Sequence, residues 1–174
     1  SREVSMVNTC RLLSWSLLIA SSLINTISAN EDEGSDDGFS VVTCGSVVKI
    51  MHVNTRFRLH SHDIKWGSGS GQQSVTAVSA MDDPNSYWII KPAHGEQCPQ
   101  GTPVRHGQTI RLAHLPTKRN LHSHRVDSPL SKQNEVSGFG EGGHGDHLDN
   151  WAVVAADGEG PLRRGRKFQL RHVE

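Results

Sequence analysis

The feature that most limits what this chain can fold into is an internal repeat. Offsetting the sequence by 62 residues sets KIMHVNTRFRLHSH, Lys49 to His62, on RLAHLPTKRNLHSH, Arg111 to His124, with six of 14 positions identical. The identities are His52/His114, Thr55/Thr117, Leu59/Leu121, His60/His122, Ser61/Ser123 and His62/His124. Later landmarks keep step within a residue: Val75 with Val136, and Tyr87-Trp88 with Asn150-Trp151. A third copy opens at Phe168, where Leu170 and His172 take the places of Leu112 and His114. Such a repeat is one supersecondary unit, and it buries its apolar face only against its neighbours.

Within each copy apolar residues recur at every second position, as in Val48 and Ile50 around Lys49, or Phe57 and Leu59 among Arg56, Arg58 and His60. That period belongs to half-buried strands, and no stretch carries the pattern of a long helix. Strands are predicted near 46–52, 57–61, 75–80 and 86–91, and again near 108–114, 119–123, 135–139 and 150–154, separated by Gly, Pro, Asn and Asp turns. Four short strands per copy make the fold class all-β and the architecture a β-trefoil. Repeat one covers 44–98, repeat two 104–158 and a partial repeat three 165–174, within one domain over 41–174. Closing the barrel is expected to need the rest of the third copy, so the chain reads as C-terminally truncated.

Ahead of the repeats, Leu12 to Asn30 contain no charged residue. Arg11, the apolar run LLSWSLLIASSLI and the small residues Ser28 and Ala29 follow the order of a secretory signal peptide, with cleavage expected after Ala29. A membrane anchor needs about 20 predominantly apolar residues. Five serines from Ser14 to Ser28 dilute this stretch, so no span is expected after signal removal. Met6 offers a start, which makes Ser1 to Ser5 translated leader and 1–29 leader plus signal peptide. Glu31, Asp32, Glu33, Asp36 and Asp37 mark 30–40 as an acidic linker. Losing Cys10 with the leader leaves Cys44 and Cys98. An oxidising compartment would join them in one disulfide, and the alternative is two buried thiols.

Lysine and arginine number 18 against 18 aspartate and glutamate, so no net field favours nucleic acid or an anionic membrane surface as partner. Arg163, Arg164, Arg166, Lys167 and Arg171 do crowd together near the end, where heparin or phosphate binding competes with the commoner reading of a solvated turn.

The segments VTCGSVVKI, FRLHSHDIKWGSGSGQQSVTAV, NSYW, IRLAHLPTKRNLHSH and SPLSKQNEVSGFGEGG resemble the MIR-repeat proteins, most of all the stromal cell-derived factor 2 family, from Val41 to Glu174. The resemblance implies a non-enzymatic module of the endoplasmic-reticulum lumen and secretory pathway. Its implied partners are a luminal Hsp70, a J-domain co-chaperone and non-native secretory proteins, in a chaperone complex for protein folding and quality control. MIR repeats also occur inside protein O-mannosyltransferases, which leaves a carbohydrate-binding, lectin-like module reading O-mannosyl glycans as the alternative.

His60 and His62, and His122 and His124, lie two apart on a strand and can share a metal, yet no carboxylate or thiol completes a ligand set. Their recurrence favours a structural role, so no metal and no cofactor are expected. His144, Asp146 and His147 sit in a glycine-rich loop found in repeat two alone. Gly67 to Gly71 lacks both the helix and the G-K-[ST] of a phosphate loop, and its centre is Gly69 rather than a serine nucleophile. No catalytic residue is assigned. Trp88 and Trp151 recur and read as core, whereas Trp66 has no counterpart in repeat two and is a candidate for an exposed aromatic platform for sugar or peptide. The candidate ligand-binding residues are Trp66, His60, His62, His122 and His124. No Q-x-W of the ricin-type sugar sites occurs.

Overall fold

The computed structural model describes residues 5–8, 40–128, 131–156 and 158–174. Of the expected leader and signal peptide only residues 5–8 are among them, and the rest of that segment and nearly all of the acidic linker lie outside them. Eleven strands follow in chain order: β1 Ser5–Asn8, β2 Val47–Val48, β3 Ile50–His52, β4 Arg58–Lys65, β5 Gln73–Val78, β6 Trp88–Pro92, β7 Thr109–His114, β8 Asn120–Asp127, β9 Asn134–Phe139, β10 Trp151–Ala155 and β11 Lys167–His172. The described residues contain no helix long and apolar enough to cross a membrane.

The repeat of the sequence becomes a repeat of pairings. β6 lies between β2 and β7, with Val47 opposite Ile89 and Trp88 opposite His114. β10 lies between β7 and β11, where Trp151 faces Ile110 on one side and His172 on the other. β1 lies between β11 and β3, its Met6 opposite Phe168 and His52. These junctions are equivalent, so β1 occupies the position that the fourth strand of a third repeat would hold. An open barrel was the expectation from sequence. Instead an extended segment read as leader closes the ring, because the unpaired N–H and C=O groups along β3 and β11 accept any strand of the right length.

Below the barrel the three repeats meet in a closed cycle of backbone hydrogen bonds. Val42 N–H donates to the Leu162 carbonyl at 2.8 Å, Leu162 N–H to Val104 at 2.7 Å, and Val104 N–H to Val42 at 2.9 Å. Each of these residues is buried, and each precedes a glycine with φ near +80° that turns the chain into the first strand of its repeat: Gly45, Gly107 and Gly165. Only glycine takes that conformation without steric cost. The start of repeat three is thus folded as its counterparts are.

Inside the barrel, alternate side chains form one core. Val48, Ile110 and Phe168 make one layer, Ile50 and Leu112 another, with Trp88, Trp151, Leu121, Val104 and Val153 filling between them. The hairpins β4–β5 and β8–β9 stand over one end and pair with each other, Gln73 opposite Gly138 and Ser74 opposite Ser137. Both first strands run further than the predicted 57–61 and 119–123. Past a register shift after Ser61 and after Ser123, the strands leave the barrel, and their exposed polar residues no longer alternate with core residues. Cys44 and Cys98 are disulfide-bonded with Cα atoms 6.1 Å apart. The 54-residue loop they close adds about 4 kcal/mol in the chain-entropy model.

Candidate functional site

The paired histidines sit where β4 and β8 cross the rim of the barrel, and the first of each pair is buried. His60 Nδ1 lies 2.9 Å from Asp83 Oδ2, and His122 Nδ1 lies 2.9 Å from Asp149 Oδ1. The carboxylates therefore fix the Nδ1–H tautomer of both rings. His62 and His124 stack edge-on against these rings at 5.0 and 5.1 Å and are half-buried. The absence of a carboxylate from the sequence neighbourhood proves misleading: Asp83, Asp146 and Asp149 arrive from the 3-10 turns Pro84–Ser86 and His147–Asp149 that precede β6 and β10. A signal was available in the repeat, since D-P-N-S-Y-W and D-H-L-D-N-W align through their tryptophans.

The two copies are not chemically equal. In repeat one Asp83 stands at the N-cap position of its turn, accepts from Ser86 Oγ and meets His60. Burial pushes the Asp83 carboxyl up, but hydrogen bonds from Ser86, His60 and the Asn85 backbone outweigh it and hold it below the ordinary carboxylate value. In repeat two the Ser86 position is Asp149, which is fully buried and takes over the histidine. Asp149 Oδ2 accepts from Asn120 Nδ2 at 3.1 Å and from the Asp146 N–H at 2.9 Å. Asp146 Oδ1 stands 3.8 Å from His122 Nδ1.

His122, Asp146 and Asp149 are the described residues whose atoms come close enough, within 4.8 Å, to take a common cation. Each of those atoms already has a protein partner, Asp146 Oδ1 accepting from the Leu148 N–H at 2.8 Å. This pattern is that of a turn clamped to a strand. His147 shares its 3-10 turn with Asp149 and is exposed, as is His144.

Trp66, expected as an exposed platform, is instead half-buried, because its indole N–H donates to the Val136 carbonyl on β9 at 3.3 Å and ties it to the neighbouring hairpin. The neighbouring glycine loop is fastened as well: Ser70 bonds the buried carboxylate of Glu135 through both its hydroxyl and its N–H. Glu135 also faces His124 Nε2 at 3.7 Å, too far for a hydrogen bond. Sequence reading missed Glu135, and nothing in its surroundings marks it. A cavity of about 430 Å³ opens beside repeat two, lined by His124, Arg125, His147, Leu148 and Glu174, and of the five candidate residues only His124 reaches it.

Below the rim the repeat persists at the level of single atoms. Trp88 donates its indole N–H to the Leu59 carbonyl at 3.1 Å and Trp151 to Leu121 at 2.8 Å. Trp88 packs on His114 and Trp151 on His172, with ring centroids 5.1 and 5.0 Å apart. His52 and His114 each hold a threonine three residues on, through Nδ1, at 2.8 and 2.9 Å.

Residues 67–161 match the model of the MIR domain. The chain belongs to the MIR-domain family, in its stromal cell-derived factor 2 branch. A stromal cell-derived factor 2-like protein of Dictyostelium discoideum is 50% identical over 161 residues, covering 91% of this chain and 76% of that one. Against the mammalian relatives it matches, this MIR chain spans 52% to 63% of their length. The crystal structure of the SDF2-like protein from Arabidopsis thaliana superposes with a TM-score of 0.74 at 45% identity, covering 77% of this chain and 74% of that one. A further MIR likeness is to the S. cerevisiae protein O-mannosyltransferase Pmt1–Pmt2 complex bound to the sugar donor, with a TM-score of 0.67 at 30% identity over 77% of this chain and 20% of that one.

Proposed function

We propose that this MIR chain is a non-enzymatic luminal module of the endoplasmic reticulum, acting in a chaperone complex with a luminal Hsp70 and its J-domain co-chaperone to fold secretory clients and sort those that fail. The observation that carries the reading is how the chemistry-bearing residues are employed. Trp88 and Trp151 bond the Leu59 and Leu121 carbonyls at matching places in two repeats, and His60 and His122 are each clamped to an aspartate of the following 3-10 turn, Asp83 and Asp149, from two different positions of that turn. Residues used twice in the same internal bond hold the repeat together, and a platform built this way serves recognition by its surface. Among the described residues five large apolar side chains stay exposed on it: Val47, Phe57, Ile64, Met81 and Tyr87. The domain boundaries at 41–174 and the linker over 30–40 belong to the same proposal. The test is co-elution of the purified chain with a purified luminal Hsp70 and J-domain protein. Elution as a separate peak at micromolar concentration would contradict the reading.

The second reading is a mannose-reading accessory of protein O-mannosylation, supported by the likeness to the Pmt1–Pmt2 complex. There Trp66 with His60, His62, His122 and His124 would form the ligand-binding surface. Calorimetric titration with mannosides tests it: heat that is lost in Trp66→Ala supports the lectin, and absence of heat removes it.

A further inference from the structure

Three cations converge at the junction of the two complete repeats. Lys91 on β6 and Arg111 on β7 are directly opposite in the antiparallel pair. Like charges so placed repel each other. Arg111 Nε is fixed on the Pro92 carbonyl at 2.8 Å, which holds the guanidinium beside its neighbour. Lys118 contributes the third charge from the β7–β8 turn, at φ 63°, a conformation a lysine rarely adopts. None of the three forms an ion pair with a described carboxylate, although the described ion pairs include the exposed Arg125–Glu174. Lys91 is half-buried. Burial, then the fields of Arg111 and Lys118, hold its ammonium below the ordinary lysine value.

The glycine-rich insertion of repeat two lies over this cluster. A Cβ at Gly143 would stand 2.8 Å from Lys91 Nζ and 3.6 Å from the Lys118 carbonyl oxygen, which places the loop directly against the lysine head group, and the φ of 84° at Gly143 is one that favours glycine. The equivalent pair at the next junction is Val154 opposite Gln169, without charge. The cation pair and the loop that covers it thus occur together at one junction and not at its counterpart.

We propose that Lys91, Arg111 and Lys118 under the Gly140–Gly145 loop form a binding site for a tetrahedral oxyanion of the phosphate or sulfate class. A dianion between them turns a mutual repulsion into charge-assisted hydrogen bonds. The test is a titration of the isotope-labelled full chain at low ionic strength with sodium phosphate, sodium sulfate and, at matched ionic strength, sodium acetate, followed through the amides of Lys118, Gly142 and Gly143. The expected result is saturable shifts with phosphate or sulfate and none with acetate. Lys91→Gln should weaken binding about tenfold, the value of one charge-assisted bond. Lys65→Gln, which removes an exposed charge elsewhere, should leave it unchanged. Lys91→Gln without anion should melt no lower than the parent, because it relieves a repulsion, so loss of binding is separable from loss of fold. Shifts that never saturate, an equal response to acetate, or equal weakening by Lys65→Gln would overturn the site.

Discussion

His122 and Asp149 form a buried pair at 2.9 Å that the repeat supplies in only one of its copies. In repeat one the histidine is held by the aspartate that precedes the turn, Asp83, and in repeat two by a carboxylate two residues before the tryptophan. Asp149 accepts from three donors and is fully buried, so truncating it leaves His122, Asn120 and the Asp146 N–H without their acceptor. Asp149→Ala should cost about 3 kcal/mol, the scale for breaking a buried pair. Asp83→Ala should cost less, since its side chain is 15% exposed. Urea unfolding of both variants checks the order.

Trp88 and Trp151 combine burial with one hydrogen bond each to the leucine of LHSH. Alanine at either site should cost about 4 kcal/mol, and phenylalanine clearly less because it retains most of the packing while orphaning one carbonyl. If both phenylalanine variants unfold at the parent's urea midpoint, the indole bonds contribute nothing.

Two groups set the acid side of stability. The Asp83 value is lower in the fold than in the open chain, so its contribution is full above the ordinary carboxylate value of 3.8 and fades as pH falls through the lowered one. His114 is fully buried as the neutral ring, its Nε2–H donating to the Asn85 carbonyl at 3.0 Å. Desolvation dominates and holds its value below 6.5, opposed by that hydrogen bond. Between the two values the unfolded chain binds the proton and the folded one does not, so stability falls as pH drops below 6.5. His114→Gln should flatten this slope, while Asp83→Asn should approach the parent's stability only below about pH 4.

Removing residues 1–29 takes β1 from between β3 and β11. Amide exchange at Ile50–His52 and Phe168–Leu170 should then quicken relative to the full chain, while Trp88–Ile90, paired on both sides by β2 and β7, should not change. Equal exchange in the two forms would contradict the pairing of β1.

The trefoil was legible because both its determinants are local. Alternation in VVKI and IRLAH set strand faces, and the offset of 62 set which strands are equivalent, down to the cycle through Val42, Val104 and Leu162. The partners of the histidines were less legible. Asp83 and Asp149 reach His60 and His122 across 23 and 27 residues, through a fold that brings the turn before one strand onto another. Glu135 under the Gly67–Gly71 loop joins two repeats across 65 residues, a contact between unequal parts of the copies that no periodicity encodes. Trp66 stood out by lacking a counterpart, and its bond to Val136 shows that the same peculiarity serves the contact between the hairpins.

The most direct measurement is affinity capture by this MIR chain from microsome lysate, with mass spectrometry of what is retained in the presence and absence of excess free mannose. The chaperone reading expects a luminal Hsp70 and a J-domain protein in both samples, at the same abundance. Retention dominated by glycoproteins that mannose strips away would contradict it and favour the lectin.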